Sequence, residues 1–498
     1  MDTLAHLGAG LVAALGWQNL TFAVIGCVLG TLIGVLPGLG PAAGTAILIP
    51  LTFKLDATGA IIMLSAIYYG AMYGGTITSV LINVPGEAAS VVTCIDGHQM
   101  AKQGRAGTAL GIAAIGSFIG GIVATIALVA VAPPLAKFAL SFGPPEFFAL
   151  MLVGLCLVTA LAGSSLIAGL LMAVVGLLLA LVGVDPVRGA PRLTYDVFEL
   201  YDGIGLIPVA MGLFGISEIL LTAENPYRQV MNTNLTKLLP SREEWRRCQG
   251  AIARASGIGV VLGLIPGVGA IVPTFMAYIL EKKLSKEPER FGAGAIEGVA
   301  APETANNAYA SASMIPLLTL GIPSSPTIAI LMGAFIINGL SPGPFLFAEK
   351  PELVWAVIAS FFLGNVILLV LNLPLVGLWA RLLRIPYQYI CVGTLVFCVI
   401  GAYSLRQNVF DVGVMLAFGV IGYLMRKIDL PMAPLILGLI LGKEIERSLR
   451  TSLEMSGGDF SIFFTRPLCL SLLAVAVIAL VVSAFNMAPR EVRKAEPD

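Results

Sequence analysis

Several stretches of this chain contain no charged residue and are each long enough to cross a lipid bilayer. They include residues 106–136, 147–184, 255–280, 304–348, 353–380, 385–405 and 467–489. Crossing a hydrocarbon core takes roughly 20 helical residues, and several of the stretches are long enough for two crossings. Within 147–184, the Gly163-Ser164-Ser165 break is typical of a tight turn between antiparallel helices.

The amino-acid composition also indicates a membrane protein. Apolar residues make up 57% of the 498 residues, and charged residues only 12%, about half of the roughly 25% found in soluble domains. We therefore expect an all-α polytopic membrane protein with about ten to thirteen membrane segments embedded in the lipid bilayer. No basic stripe accompanies the net charge of zero, which argues against a nucleic-acid partner.

Residues typical of a cleaved signal peptide or of a transition-metal site are scarce in this sequence. No lysine or arginine precedes Lys54, so the first apolar stretch lacks the basic region of a cleaved signal peptide, and we expect it to be retained. The seven cysteines are isolated and are typical of packing residues. His6 and His98 are the only histidines, which predicts no transition-metal site.

Two features recur in the same order along the chain and predict two related halves. Gly-Val-Leu-Pro-Gly-Leu-Gly at 34–40 returns as Gly-Leu-Ile-Pro-Gly-Val-Gly at 263–269. About fifty residues after each copy, a small-residue helix runs into a polar break centred on proline, at 83–86 and at 321–326. Many carriers are built from such repeats, with discontinuous helices in corresponding positions.

A basic segment separates the predicted halves. We divide the chain into a first transmembrane half at 1–222, a basic loop at 223–256, a second transmembrane half with C-terminal helices at 257–489, and a polar tail at 490–498. The positive-inside rule places the basic loop in the cytoplasm.

The next loop, 281–290, is also basic, although only 255–280 separates the two. A re-entrant hairpin at Pro266-Gly267 would bring both loops to one side of the membrane. The alternative is a full span that violates the positive-inside rule.

The proline and glycine breaks are the first candidates for a binding site. Breaks in membrane helices free backbone groups, which survive only where protein or a water-filled cavity surrounds them. Carriers use the freed groups, since helix amino ends hold anions and exposed carbonyls hold cations. The alternative for any single break is an ordinary kink.

Polar residues near the breaks add ionisable candidates. Glu303 is followed by Asn306 and Asn307 at the start of a long apolar segment, and an acid at membrane depth is a functional candidate as cation ligand or proton carrier. The alternative for Glu303 is a headgroup-level residue at a helix end. Glu87 and Asp96 flank the first-half break, where 96–99 is typical of a polar exit loop.

Four segments resemble the large membrane subunit of the tripartite tricarboxylate transporters, the TctA family. They are GVLPGLGPAAGTAILIPLTF at 34–53, YYGAMYGGTITSVLINVPGEAASVVTCIDGHQMAKQGRAGTALG at 68–111, APETANNAYASASMIPLLTLGIPSSPT at 301–327 and LILGLILGKEIERSLR at 435–450. The resemblance spans nearly the whole chain. One departure is Ser324, which follows Pro323 where the family usually has glycine.

The resemblance implies a function and partners. It implies a permease of the bacterial inner membrane, taking up di- or tricarboxylates of the citrate kind. It also implies a small TctB-like membrane subunit, a periplasmic TctC-like solute-binding protein, and no enzymatic cofactor. The apolar runs that hold the breaks contain no lysine or arginine, which favours coupling to Na⁺ or H⁺ because co-bound cations would then neutralise the substrate.

These considerations give two sets of candidate site residues. The predicted substrate-binding residues are Asn83, Pro85, Gly86, Ser90, Pro323, Ser324, Ser325 and Thr327. The predicted cation-binding residues are Pro37, Gly38, Gly40, Pro266, Gly267, Gly269, Glu303, Asn306 and Asn307.

Other functions remain as alternatives. A carrier for another small organic anion is the nearest. An intramembrane enzyme would use Ser90, Cys94, Asp96 and His98, but their spacing fits no arrangement of nucleophile and base, and we predict no catalytic residue. A non-transporting membrane scaffold predicts kinks without paired polar breaks.

Overall fold

The computed structural model describes residues 3–36, 39–161, 165–185, 189–224, 235, 237–383 and 387–487. These residues are mostly helical, which confirms the all-α character of the predicted fold. The helices of the N-terminal part are α1 Thr3–Leu15, α2 Trp17–Val35, α3 Gly40–Leu48, α4 Ala57–Ile82, α5 Val91–Lys102, α6 Ala106–Ala139, α7 Pro144–Leu161, α8 Leu166–Ala180, α9 Leu206–Ala210 and α10 Ser217–Glu224.

The C-terminal part continues in the same way. Its helices are α11 Arg242–Gly263, α12 Ile271–Leu284, α13 Glu297–Ala312, α14 Met314–Leu320, α15 Pro326–Ile337, α16 Pro344–Glu349, α17 Pro351–Asn372, α18 Val376–Leu382, α19 Tyr387–Arg406, α20 Val409–Lys427, α21 Met432–Met455, α22 Ile462–Thr465 and α23 Pro467–Met487. Two short strands, β1 Gly183–Val184 and β2 Pro191–Arg192, pair antiparallel.

Short helical turns of other kinds link some of these helices. Met211–Ile216 is a π-helical turn between α9 and α10. The 3-10 turns are Ile49–Thr52, Ala88–Ser90, Phe198–Leu200 and Pro288–Arg290.

Seven helices within the described residues are long and apolar enough to cross a membrane. They are Trp17–Val35, Ala57–Ile82, Ala106–Ala139, Leu206–Glu224, Pro351–Asn372, Val409–Lys427 and Pro467–Ala484. Shorter apolar helices lie between them, so the total of ten to thirteen segments stays a prediction. The predicted turn at Gly163-Ser164-Ser165 lies largely outside the described residues, although the helices on either side of it pack together.

Helix α4 forms the centre of the molecule, and the sequence fixes both of its ends. The Asp56 carboxylate accepts a hydrogen bond from the Gly59 amide at 3.1 Å, which caps the first turn. Asn83 ends the helix in the left-handed conformation, with φ of 57°. The apolar stretch of α4 is wholly buried, whereas that of α23 is mostly exposed. Helix α4 therefore contacts protein on all sides.

A row of glycines lets α2 pack directly against α4. Gly26, Gly30 and Gly34 recur at every fourth residue and so share one face of α2. A Cβ atom would lie 2.4 Å from the Ile67 carbonyl oxygen if placed on Gly30, and 2.2 Å from the Ala71 oxygen if placed on Gly34. Larger side chains would separate the helices, since close backbone contact is how membrane helices pack.

Helices α11 and α13 pack in the same way. A Cβ on Gly259 would lie 2.6 Å from the Ala305 carbonyl oxygen, and one on Gly263 would lie 2.6 Å from the Ala312 Cβ atom. The helices that lead into the two glycine-rich motifs, α2 and α11, thus pack through glycines on the small-residue helices α4 and α13.

The segment around Pro266-Gly267 is a helical hairpin. Arg254 lies nine residues before the end of α11, and Glu281 lies ten residues after the start of α12. The Arg254 guanidinium donates to both Glu281 carboxylate oxygens at 2.7 Å. Residues almost equally distant from the break therefore meet side by side, so the basic residues of 242–254 and 281–290 lie at the same end of the molecule. Which membrane face that end occupies stays a prediction.

Two expectations about local structure change. Helix α11 begins at Arg242, so the later part of the predicted 223–256 loop is helical. The predicted exit loop at 96–99 is wrong, because these residues lie within α5. The Asp96 carboxylate is fully buried there and accepts from the Gly292, Gly294 and Ala295 amides and the Tyr278 hydroxyl. The three amide bonds anchor α5 to the segment before α13, and the Tyr278 bond anchors it to α12.

Single cysteines at Arg246 and Lys283, in a background without native cysteines, are expected to react with a membrane-impermeant maleimide from one and the same side. The reason is that the α11–α12 hairpin returns both residues to one end. We expect that side to be the cytoplasm. Labelling from opposite sides in inside-out and right-side-out vesicles would show a full span and contradict the hairpin.

Candidate functional site

Helices α4 and α13 run antiparallel at the centre of the protein and bring its polar groups together. The Tyr68 hydroxyl lies 3.3 Å from the Ser313 hydroxyl near one end of the contact. Near the other end, the Thr76 hydroxyl donates to the Glu303 carboxylate at 2.5 Å. The residue numbers rise along one helix as they fall along the other. Polar side chains of α4 and α13 therefore line one contact at the centre of the protein.

Glu303 is buried within α13, with a residue exposure of 1%. Its carboxylate accepts hydrogen bonds from Thr76 at 2.5 Å and from Thr93 of α5 at 2.5 Å. Both partners are neutral. The alternative of a headgroup-level residue at a helix end does not fit this position, because Glu303 lies within the helix and is enclosed by protein.

Glu87 brings a second buried carboxylate to the same region. The Asn306 amide donates to Glu87 Oε1 at 2.5 Å. Glu87 also forms a reciprocal capping pair with Ser90, in which each side chain bonds to the backbone of the other residue. Since Glu303 and Asn306 are three residues apart on α13, both carboxylates lie along one face of that helix.

Neither carboxylate has a cationic residue near it in sequence. No lysine or arginine occurs between Lys54 and Lys102, or between Arg290 and Lys350. These two intervals contain α4, the first polar break, α13 and the second polar break. A buried ionised carboxylate without a positive partner is strongly unfavourable, so the cluster calls for a proton or a bound cation.

Two amide oxygens in the cluster lack partners. Asn306 and Asn307 are 1% and 2% exposed, and no hydrogen-bond donor within the described parts of the chain reaches the Oδ1 atom of either. The Asn307 amide nitrogen donates to the Ser117 hydroxyl at 2.8 Å and to the Glu303 carbonyl at 3.2 Å, which fixes its orientation. Unpaired buried acceptors need an explanation, and oxygen atoms are the ligands of Na⁺-like cations.

The second polar break carries hydroxyl groups and no acid. The Tyr309 hydroxyl donates to the Ser324 carbonyl at 3.0 Å, and the Gly269 backbone and the Ser325 side chain lie near the same hydroxyl. Ser325 caps α15 by accepting from the Ile328 amide at 3.3 Å. The adjoining Pro326 has no amide hydrogen and begins the helix. The break thus presents the amino end of a twelve-residue helix.

The first polar break is packed more tightly. A Cβ atom on Gly86 would lie 2.3 Å from the Gly34 carbonyl oxygen and 2.5 Å from the Gly75 Cα atom. Gly86 is therefore required for close backbone contact, and Asn83 for the left-handed end of α4.

The glycine-rich breaks near the start of each half are described only in part. Gly267 and Gly269 have φ of 82° and 69°, and Gly40 has φ of 60°, conformations that favour glycine. A Cβ on Gly267 would lie 2.5 Å from the Val158 amide nitrogen of α7. The predicted cation ligands Pro37 and Gly38 lie outside the described residues.

The predicted residues thus fall into two groups. Glu303, Asn306 and Asn307 meet the first polar break through Glu87 and Ser90. Ser324, Ser325 and Gly269 gather around Tyr309, with Pro323 and Thr327 adjacent in the same break. No hydrogen bond between described residues joins 83–86 directly to 323–327, and α13 links the two groups along its length.

Several residues of the site were missed at the level of sequence. Thr76, Thr93 and Ser117 look like ordinary small residues of apolar helices, and Tyr68 and Tyr309 like packing aromatics. The one signal in the sequence was Glu303 itself. A buried carboxylate needs hydrogen-bond donors, so hydroxyl side chains of neighbouring helices were the candidates for its partners.

The alternative of an enzyme finds no support in the contacts. His98 Nδ1 lies 3.1 Å from the Val80 carbonyl oxygen, and Asp96 bonds to Tyr278 and to backbone amides. Among the described residues, no hydrogen bond connects Ser90, Cys94 or His98 to one another.

The chain is similar to two proteins of one bacterium. A protein of Agrobacterium vitis, described as an uncharacterized 52.8 kDa protein in the TAR-I ttuC′ 3′ region, is 47% identical over 484 residues, which cover 97% of this chain and 96% of that protein. A second uncharacterized protein of the same organism, in the TAR-II ttuC′ 3′ region, is 45% identical over 225 residues, covering 45% of this chain and 93% of that protein. No solved structure matches the chain significantly.

The family model covers most of the chain. The model of the tripartite tricarboxylate transporter TctA family matches residues 20–437, an interval that contains all four breaks and the buried carboxylates. Together with the polytopic helical fold, this match shows that the chain belongs to the tripartite tricarboxylate transporter TctA family.

Proposed function

We propose that this chain is the large permease subunit of a binding-protein-dependent transporter that takes up di- or tricarboxylates of the citrate kind, coupled to Na⁺ or H⁺. Family membership supports transport and a multi-pass membrane location. The observation that carries the coupling proposal is the pair of buried carboxylates, Glu87 and Glu303, held by hydroxyls and an amide. We place the permease in the bacterial inner membrane.

The cation belongs at the first polar break and the α13 cluster. Glu87 and Glu303 supply negative charge there, and Asn306 and Asn307 supply unpaired oxygens. A bound Na⁺, or a proton on either carboxylate, would relieve the electrostatic cost of their burial. The predicted ligands Gly40, Pro266, Gly267 and Gly269 contribute freed backbone groups near the same helices.

The substrate belongs at the second polar break. Ser324, Ser325 and Thr327 offer hydroxyls, and the amino end of α15 offers amide groups and a partial positive charge. An anion at the first polar break would lie close to Glu87, whose charge repels it. Asn83, Pro85, Gly86 and Ser90 then act by holding that break in shape. In this division, the first break binds the cation and the second break binds the anionic substrate.

Access to the substrate site requires a change of conformation. Ser324, Ser325 and Thr327 are all buried. Carriers expose one central site alternately to each side, often by moving one repeat against the other. The second polar break together with α15, residues 321–337, is the element whose movement would open this site.

The arrangement of the helices supports two related halves. Helix α2 packs on α4 as α11 packs on α13. The contacts across the halves are reciprocal as well, because α17 packs on α4 and α2 while α6 packs on α13 and α11. An exchange of the two halves would reproduce this pattern, as an internal duplication requires.

A carrier for another small organic anion is the second candidate. Hydroxyls and a helix amino end recognise a carboxylate group without specifying the remainder of the molecule. The same site therefore suits other small carboxylates.

Proteoliposomes that contain this chain alone are expected to show little uptake of citrate-like substrates. We expect uptake to appear when the small TctB-like membrane subunit and the TctC-like binding protein are added with an inward Na⁺ or H⁺ gradient. The measurement is uptake of a panel of radiolabelled carboxylates, with and without each component. High-affinity uptake by the lone chain would contradict the partner proposal, and no uptake of any carboxylate by the complete system would contradict the substrate class.

Ser325→Ala is expected to raise the dissociation constant of the substrate about tenfold, because one hydrogen bond worth about 0.5–1.5 kcal/mol is removed. The measurement is equilibrium binding of radiolabelled citrate to the purified membrane complex. Ser165→Ala is the matched control, since Ser165 caps α8 through the same 3.3 Å contact at an exposed position. Equal affinities for the two variants would place the substrate elsewhere.

A further inference from the structure

A small cavity lies between α4, α6 and α17. Its volume is about 10 Å³, near the lower limit for one water-sized guest. The polar residues that line it are Tyr73 and Thr76 of α4, Ser117 of α6 and Asn372 at the end of α17. The remaining lining residues are apolar.

The hydroxyl hydrogens around this cavity are committed elsewhere. The Tyr73 hydroxyl donates to Asn365 Oδ1 at 3.2 Å, and the Thr76 hydroxyl donates to Glu303 Oε2 at 2.5 Å. The Ser117 hydroxyl donates to the Glu303 carbonyl at 3.4 Å. Since each hydroxyl has a single hydrogen, these groups face the cavity with oxygen lone pairs.

Asn372 adds an unpaired acceptor. Its amide nitrogen donates to the Leu368 carbonyl at 3.0 Å, which assigns Oδ1 as the free atom. The residue is 4% exposed, and no donor in the described part of the chain reaches Oδ1. A buried acceptor without a partner is unfavourable. The cavity is thus rich in acceptors and has no side-chain donor to offer an anion.

We propose that this cavity binds one Na⁺ ion, with Thr76, Ser117 and Asn372 as side-chain ligands. Neutral oxygens suit a hard cation, and the Glu303 carboxylate supplies negative charge through its contact with Thr76. One nearby carboxylate balances a monovalent ion. The proposal rests on cation coupling, and it identifies Na⁺ as the ion and adds a site that excludes Glu87.

The site also connects α6 with α4 and α17, which already share the hydrogen bond between Tyr73 and Asn365. Helices α4 and α6 come from the first predicted half, and α17 comes from the second. An ion held among them stabilises one arrangement of the halves, and it stabilises the ionised form of Glu303. Binding of Na⁺ is thereby linked to the cluster beside the substrate site.

The test is equilibrium binding of ²²Na⁺ to the purified membrane complex, together with the Na⁺ dependence of carboxylate uptake by the complete system. Asn372→Leu replaces the asparagine ligand with a side chain of similar size that cannot bind a cation. We expect the Na⁺ concentration for half-maximal binding and uptake to rise about tenfold. Asn372→Asp keeps the ligand oxygen and adds charge, so half-maximal Na⁺ should be equal to that of the unmodified protein or lower.

Ser360→Ala is the control, because Ser360 lies in the same helix, is buried, and bonds only within it through its hydroxyl. Its Na⁺ dependence should be unchanged. If Asn372→Leu folds and binds Na⁺ as the unmodified protein does, or if the complex binds no ²²Na⁺, the cavity holds water only and the inference is wrong. Carboxylate uptake that persists in either case leaves the proposed function intact, whereas absence of all carboxylate uptake refutes that function itself.

Discussion

The burial of Glu303 without a basic partner is the constraint on which the rest of the site depends. Its carboxylate is held by the hydroxyls of Thr76 and Thr93, which come from α4 and α5 on the two sides of the first polar break. The glycines of α2, α4, α11 and α13 bring the helix backbones close enough to enclose this group. An ionised carboxylate in this position is unfavourable, and the coupling cation or proton that we propose would balance its charge.

The two polar breaks have similar backbone geometry but different electrostatic properties. The first carries Glu87 at the start of α5, so its helix amino end is already occupied by a carboxylate. The second carries Ser325 at the start of α15, a neutral cap that leaves the positive end of the helix available to an anion. Under the proposed function, a cation at the first break and a carboxylate substrate at the second would attract each other across α13. This attraction provides a physical basis for coupled transport.

Sequence reasoning reached the all-α fold and the family, and it singled out the breaks and Glu303 as candidates, because charge-free runs, repeated motifs and an isolated acid are visible in the sequence. It wrongly predicted that Asp96 and His98 lie in a loop. Four polar residues in sequence do not show that the Asp96 carboxylate accepts hydrogen bonds from Tyr278 and three distant backbone amides. It also missed Thr76, Thr93, Ser117 and Asn372. Their roles arise from contacts between distant helices, and a hydroxyl within an apolar helix more often bonds to its own backbone.

The most direct test of the account is ion-driven accumulation by the complete transporter carrying Glu303→Gln. Uptake against a gradient is compared with exchange of internal for external substrate, which needs no net ion movement. The account predicts loss of accumulation driven by Na⁺ or H⁺ while exchange continues, because glutamine removes the charge that the coupling ion neutralises. Accumulation equal to that of the unmodified protein, with the same ion dependence, would contradict the central role of Glu303.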